Sequence, residues 1–438
     1  MKFIAQKLCL LLLCISPIVI LANKMENRQP ASKSVAPGEY VLLIEGYDWG
    51  PGVNKVVLSL ETSATETSAG DFSVTVERSA EGVEMKPIEA KGNRKVVHAY
   101  VSDDKGNVLQ KGNHITLVLF VSPNDALTSP IKYIFQNNRG SNEWIDYQLT
   151  VTHNPSKRVW NTETDRIVSP LQRFDLTGTY AQNDITLTYG SFVPKNSTAN
   201  SPLIIWLHGG GEGGTDPSIA LIANKAWNYA SEEIQSIFGG AYVLVPQTPT
   251  FWMQSGSGDY TRGDTNDIYN EALMGLIKKY VADNTNIDAN RIYIGGCSNG
   301  GYMSLKLILQ HPDYFAAGYI SALAFQNKYI TDEQIEKIKN IPIWFVHSKD
   351  DPVTIPEETV VPLYKRLLDS NAANVHFSYY EHVIDLSGFY GGEDYRYNGH
   401  WSWIYSHANH ADFDFDGSPV LLNGNPVRIM EWLAAQGK

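Results

Sequence analysis

The feature that most constrains the fold is a change in hydrophobic period near residue 155. Between Gly38 and His153 apolar side chains recur at every second position. Phe72, Val74 and Val76 alternate with Ser73, Thr75 and Glu77, and Ile145, Tyr147, Leu149 and Val151 alternate with Asp146, Gln148 and Thr150. Successive side chains of an extended chain point to opposite faces, so this pattern specifies half-buried antiparallel strands. Similar runs at Val56–Leu60, Val96–Val101 and Ile115–Val121, separated by turn clusters such as Asp104-Lys105-Gly106-Asn107, predict a small all-β sandwich over residues 37–154. Residues 155–174 are polar and carry Pro155 and Pro170, and are expected to form a linker. Over residues 175–438 short apolar strands (Leu203–Leu207, Tyr242–Val245, Ile292–Ile294, Ile341–Val346) alternate with helical segments (Asp267–Ala282, Tyr302–Gln310, Glu357–Leu368). That alternation predicts a mostly parallel sheet with helices on both faces.

A chain of 438 residues that is 43% hydrophobic has enough apolar material for two cores. At the N-terminus, Lys2 and Lys7 precede an apolar run from Leu8 to Ile20 that ends at Ala22, the pattern of a Sec signal peptide over residues 1–22. Export to an extracellular or periplasmic space is therefore expected. Cys9 and Cys14 would leave with the leader, and of the three cysteines only Cys297 would remain, so no intramolecular disulfide is expected. The 35 basic and 47 acidic residues give a net charge of −12, which argues against nucleic acid or an anionic membrane as a partner once the leader is gone. The pattern sets no oligomeric state.

The strongest chemical signal is Gly296-Cys297-Ser298-Asn299-Gly300, which follows the strand Arg291–Ile294 and opens a helix that Pro312 ends. Strand, tight turn and helix together are what a nucleophile elbow of the α/β-hydrolase fold requires, with Ser298 as the nucleophile. After the strand Leu203–Leu207 comes His208-Gly209-Gly210-Gly211-Glu212-Gly213-Gly214, where that fold places its second oxyanion donor. The backbone N–H groups of Gly210 and Asn299 are the expected oxyanion hole. A phosphate-cradling reading fails, because neither G-x-x-x-x-G-K-[ST] nor a well-placed G-x-G-x-x-G is present. Asp351, in the loop His347-Ser348-Lys349-Asp350-Asp351-Pro352-Val353, and His400, in Gly399-His400-Trp401-Ser402-Trp403, complete the chain order Ser, Asp, His. Among the eleven histidines, His382, His407 and His410 compete with His400 for the base, while His208 and His347 are expected to brace loops.

The run Gly295-Gly296-Cys297-Ser298-Asn299-Gly300-Gly301-Tyr302-Met303, the turn Asp351-Pro352-Val353, and Gly399-His400 followed by Trp403 resemble the esterases of the prolyl oligopeptidase-like branch of α/β-hydrolases that carry an immunoglobulin-like N-terminal domain. Tyr47-Asp48-Trp49-Gly50-Pro51 is similar to that family's leading domain. The resemblance implies hydrolysis of carboxylic esters through an acyl-enzyme, with no metal and no cofactor. Ser348 stands where the family has glycine after the strand histidine. By analogy with related families the substrates would be short-acyl esters, small or linked to polysaccharide, with acetyl and feruloyl groups as examples. A serine peptidase and a surface binding protein with an inactive hydrolase domain are the alternatives. The leading region is too short for the propeller that gates prolyl oligopeptidases.

Two further patterns stand beside these motifs. Asp412-Phe413-Asp414-Phe415-Asp416-Gly417 imitates the start of a calcium loop, but Asn423 sits where the bidentate Glu belongs, so a solvated loop is expected. Trp252 and Trp401, with Phe251 and Tyr390, are candidates to line a substrate pocket, although aromatic residues at this frequency usually fill cores.

Overall fold

Residues Leu203–Leu207 form a run with no polar side chain, and such a strand must be covered on both faces. In the computed structural model, which describes residues 38–136, 139–195, 197 and 200–438, they do so. Leu203, Ile205 and Leu207 enter one core and Ile204 and Trp206 the other, all fully buried. The expected leader, residues 1–22, lies outside the described residues.

Among the described residues, eleven strands precede the sheet that holds this run. They are β1 (Glu39–Tyr47), β2 (Gly50–Ala64), β3 (Phe72–Ser79), β4 (Lys91–Arg94), β5 (Val96–Ser102), β6 (Gly112–Leu119), β7 (Ile131–Gln136), β8 (Arg139–Trp144), β9 (Asp146–His153), β10 (Arg158–Trp160) and β11 (Thr162–Val168). They form a five-stranded sheet in the order β11-β1-β2-β6-β5, a four-stranded sheet in the order β10-β9-β3-β4, and a separate hairpin, β7-β8. Phe72, Val74 and Val76 of β3 and Tyr147, Leu149 and Val151 of β9 point into one core with Leu42, Val56 and Leu117 of the facing sheet. This is the sandwich that the period-two pattern requires, immunoglobulin-like as the resemblance implies.

The expected linker needs correction. Most of residues 155–174 belong to ordered elements: β10 pairs with β9, and β11 pairs in parallel with β1 from Glu39↔Thr162 to Ile44↔Val168. Edge strands expose one side and so read as polar, which is why composition alone marked this stretch as a connection. Pro170 lies in the short 3₁₀ turn Ser169–Arg173, where its missing N–H costs nothing.

The second half holds an eight-stranded sheet in the order β12-β13-β15-β14-β16-β17-β18-β19. Its strands are β12 (Asp175–Gln182), β13 (Ile185–Phe192), β14 (Ser201–Leu207), β15 (Tyr242–Gln247), β16 (Ile287–Cys297), β17 (Ala317–Ser321), β18 (Ile343–Ser348) and β19 (Val375–Tyr380). β12 and β13 are antiparallel, and every neighbouring pair from β15 to β19 is parallel. The helices Asn270–Asp283, Asn299–Gln310 and Val360–Asp369 supply Leu273, Leu305 and Leu363 to the core on one face. The helices Pro217–Ile222, Glu232–Phe238 and Ile429–Ala434 supply Leu221, Ile234 and Trp432 to the other. This is an α/β-hydrolase sheet with both faces covered. Among the described residues no helix is long and apolar enough to cross a membrane.

The β7-β8 hairpin joins the two halves. Arg139 donates to Pro249 O at 3.1 Å and Gly213 O at 2.7 Å, and Trp144 Nε1 donates to Ser218 Oγ at 2.8 Å.

At the elbow the backbone of the helix Asn299–Gln310 lies against the end of β14. A Cβ on Gly300 would stand 2.0 Å from Leu207 O, and a Cβ on Gly296 would stand 2.6 Å from the Gly300 backbone. Both neighbours are main chain and cannot rotate away. Gly300→Ala is therefore expected to cost about 1–3 kcal/mol or more, seen as a lowered midpoint in thermal or urea denaturation of the purified variant.

Candidate active site

The chain leaves β16 and turns into the helix Asn299–Gln310 through Ser298, whose φ of 54° and ψ of −114° lie outside the regions that ordinary residues occupy. Ser298 N–H donates to Ser321 O at 3.1 Å and Ser298 O accepts from Tyr302 N–H at 2.9 Å, so the strained residue is held from both sides. The side chain opens into a cavity of about 860 Å³ that His400, Gly210, Asn299 and Trp401 also line. The first turn of the helix leaves the Asn299 N–H without an intrahelical acceptor, and Gly210 begins a 3₁₀ turn, Gly210–Glu212, beside it. The two expected oxyanion donors thus belong to adjoining segments at the cavity floor. Asn299 is tied to the next loop by its Oδ1, which accepts from Met253 N–H at 3.2 Å.

Asp351 follows β18 and is buried with its full acceptor capacity in use. Its Oδ1 accepts from Val353 N–H at 2.8 Å and Thr354 N–H at 3.0 Å. Its Oδ2 accepts from Thr354 Oγ1 at 2.7 Å and lies 3.0 Å from His347 Nε2. His400 Nδ1 stands 2.9 Å from Oδ2 and 3.1 Å from Oδ1. Burial alone would push this carboxyl up, but hydrogen bonds from His347 and His400 outweigh it and hold the group well below the usual carboxylate range. Asp350 faces elsewhere: its Oδ2 is 2.8 Å from His382 Nδ1, and its Oδ1 accepts from Ser348 Oγ. The adjacent carboxylates therefore hold different histidines, and only Asp351 holds His400, which lines the cavity. The His400 backbone N–H is capped by Asn398 Oδ1 at 2.9 Å, and Ser402 Oγ ties the following turn to Val346 O of β18 at 3.1 Å. Among the described residues neither Ser298 Oγ nor His400 Nε2 is committed to another hydrogen-bond partner.

The other histidines have different surroundings. His208 is buried with Nδ1 2.6 Å from Gly209 O, while Nε2 accepts from Thr248 N–H at 3.2 Å, so it is the neutral Nδ1–H tautomer. Burial pushes its imidazole down to about 4. His407 is buried between Trp206 and Tyr229, and burial also pushes it far down. His410 stacks on Tyr405.

Trp252, expected in a substrate pocket, requires correction. It is fully buried, donates from Nε1 to His208 O at 3.1 Å, and packs on the His208 ring, so it braces the loop after β14 from beneath and does not line the cavity. The three carboxylates of the Asp412–Asp416 loop do not converge. Asp414 accepts from Phe377 N–H and Phe415 N–H and faces His376, while Asp416 accepts from Ser418.

Among the cavity residues that escaped the sequence reading are four in or around the loop after β14. Tyr133 and Asn142 come from the β7-β8 hairpin, Tyr260 from the loop after β15, and Glu212 from the oxyanion loop. Glu212 is buried, and its Oε1 accepts from Asn142 Nδ2 at 2.8 Å. Burial pushes its carboxyl up to about 7, against the opposing pull of hydrogen bonds from Asn142, Asn224 and Gly209.

Residues 39–164 match the family described as Esterase Ig-like N-terminal domain, and residues 189–388 match the family described as Phospholipase/Carboxylesterase. An esterase Ig-like domain here leads a carboxylesterase domain. Ser298 and Asp351 fall inside the second match and His400 lies beyond it. The chain is similar in fold to a solved thermostable esterase, with a TM-score of 0.69 and 24% identity over 91% of this chain and 99% of that one. Feruloyl esterase B of Neurospora crassa is 27% identical over 142 residues, 32% of this chain and 44% of that protein. Acetylxylan esterase A of Emericella nidulans is 26% identical over 148 residues, 32% and 43% of the two chains. Poly(3-hydroxyalkanoate) depolymerase C of Paucimonas lemoignei is 26% identical over 148 residues, 31% of each. The chain spans less than half the length of these curated relatives.

The position of Glu212 generates a stability prediction. Between pH about 4.5 and 7 an unfolded Glu is ionised while the folded one keeps its proton, so this residue makes the fold less stable as pH rises through that window. Glu212→Gln removes that dependence. The difference in melting temperature, variant minus parent, is expected to become more positive from pH 5 to pH 7.5, read by calorimetry across a buffer series.

Proposed function

We propose that the protein is an exported serine esterase that hydrolyses carboxylic esters through an acyl-enzyme, with Ser298 as nucleophile, His400 as base and Asp351 as the residue that orients it. The observation that carries this reading is the meeting, in one cavity, of a strained elbow serine and a histidine whose Nδ1 is 2.9 Å from a buried, fully hydrogen-bonded carboxylate. Ser298 Oγ attacks the ester carbonyl as His400 Nε2 takes its proton, and the negative charge on the carbonyl oxygen falls to the N–H groups of Gly210 and Asn299. Collapse of the tetrahedral adduct expels the alcohol, which receives the proton from His400. Water, activated by the same histidine, then releases the acid. Asp351 keeps the Nδ1–H tautomer in place and stabilises the imidazolium. Glycines in the loop after β14 let a carbonyl approach the main chain closely. The leader pattern of residues 1–22 supports export, and the acetylxylan and feruloyl esterases among the relatives support small or polysaccharide-linked esters as substrates.

Labelling with a fluorophosphonate probe tests the nucleophile. Ser298→Ala is expected to abolish labelling and lower kcat at least about a thousandfold while leaving the melting curve near that of the parent. A folded variant that still turns over at the parental rate contradicts the assignment, and a parent that never labels points instead to an inactive binding protein.

The two adjacent aspartates give a second test. Asp351→Asn is expected to lower kcat by orders of magnitude, because the amide neither balances the imidazolium nor holds the tautomer. Asp350→Asn, which alters the His382 and Ser348 contacts but not His400, is expected to leave kcat within about a few fold. Matched steady-state kinetics on the two variants check both.

A further inference from the structure

Two large side chains at the mouth of the cavity are far more exposed than packing explains: Tyr133 at 58% and Tyr260 at 52%. Each rests on one of two consecutive glycines of the oxyanion loop. A Cβ on Gly210 would stand 3.6 Å from Tyr260 Oη, and a Cβ on Gly211 would stand 3.1 Å from Tyr133 Cε2. Tyr260 is fixed from behind by a stacked contact with Phe251, centroids 4.0 Å apart and planes 14° apart. Tyr133 is fixed by the hairpin. It lies directly across from Asn142, so the two side chains leave the same face, and Asn142 is bonded to buried Glu212 of the loop below. The Tyr133 ring also lies back over Gly140, where a Cβ would stand 1.7 Å from its hydroxyl. Both rings are thus held in place with open faces, on the same cavity as Ser298 and His400.

We propose that Tyr133 and Tyr260 form a two-walled subsite above the oxyanion loop that binds a planar aryl group of the ester substrate. The inference rests on the esterase reading above and names the substrate class for that site. Two charged groups beside the slot are already engaged, Arg139 with Gly213 O and Pro249 O, and Glu212 with Asn142; Arg262, which lines the same cavity, is exposed on the Tyr260 side. Directly over Gly210 and Gly211 the open surface is ring and, among the described residues, two phenol hydroxyls without hydrogen-bond partners. A hydroxylated or methoxylated aromatic ring matches both, through stacking and through donation from the phenols to its ring oxygens. A sugar ring would need a denser set of free donors and acceptors at the same place. One wall comes from the immunoglobulin-like domain, which makes that domain part of the binding site for the substrate.

The test compares kcat/KM for methyl ferulate, methyl butyrate and an acetylated xylo-oligosaccharide in the full chain and in Tyr133→Ala and Tyr260→Ala. Each variant is expected to lower the ferulate-to-butyrate ratio by about tenfold, mainly through KM, and to raise the Ki of ferulate as a competitive inhibitor of butyrate hydrolysis by a similar factor. A ratio that does not move overturns the subsite, and so does a parallel fall on all three esters, which would mark the tyrosines as merely structural. A loss confined to the acetylated sugar overturns it in favour of a glycan site. If the parent hydrolyses aliphatic esters but not the ferulate, the subsite fails and the esterase reading stands; if it hydrolyses none and resists the fluorophosphonate, the esterase reading itself fails.

Discussion

The site depends on one close backbone contact, the packing of Gly296 and Gly300 against the end of β14. Where a side chain would stand 2.0 Å from Leu207 O there is only hydrogen, so the segment carrying Ser298 and the segment carrying Gly210 meet main chain to main chain. The Ser298 elbow and the loop after β14 are therefore not separate pieces brought near each other by flexible side chains. They are two ends of one rigid junction, and the unusual dihedral angles of Ser298 are sustained because the strands and helix around it leave no alternative.

Around that junction the polar groups are arranged by burial. Asp351 illustrates the balance, since desolvation opposes its charge and converging donors more than restore it. His347, from the strand side, and His400, from the cavity side, share the same carboxylate. His208 works in the opposite sense: buried without a charged partner, it stays neutral and serves as a two-ended brace between Gly209 and Thr248. Two histidines that follow strands in similar ways thus hold different roles, because one meets a carboxylate and the other only backbone.

The architecture was largely legible because both of its periods are strong. The alternation in Phe72–Glu77 and the all-apolar run Leu203–Leu207 correspond directly to β3 and β14. The elbow was legible because Gly-x-Ser-x-Gly between a strand and a helix is set by local sterics. Asp351 and His400 followed from chain order, although their approach across 49 residues is a tertiary fact. What failed was what depends on tertiary partners. β11 has the composition of a loop, and only its pairing with β1 makes it a strand. Trp252 carries no mark in the sequence to distinguish a pocket wall from a buried brace. Tyr133 and Asn142 lie over a hundred positions before the serine, on a hairpin whose sequence carries no mark of the loop it touches.

That hairpin also bears on how the chain reaches its final form. During synthesis the sandwich is made first, and β7-β8 pairs with neither of its two main sheets. Until the segment from Gly209 to Pro249 has been made, the side chains of Arg139, Asn142 and Trp144 lack their final hydrogen-bond partners, and the hairpin stands as an open two-stranded edge with Tyr133 and Phe135 facing solvent. The completed sandwich then presents a preformed surface onto which the oxyanion loop can settle. The order of translation thus makes the earlier domain a template for the later one, with an interval of exposure in which an unpaired hairpin invites association with other chains.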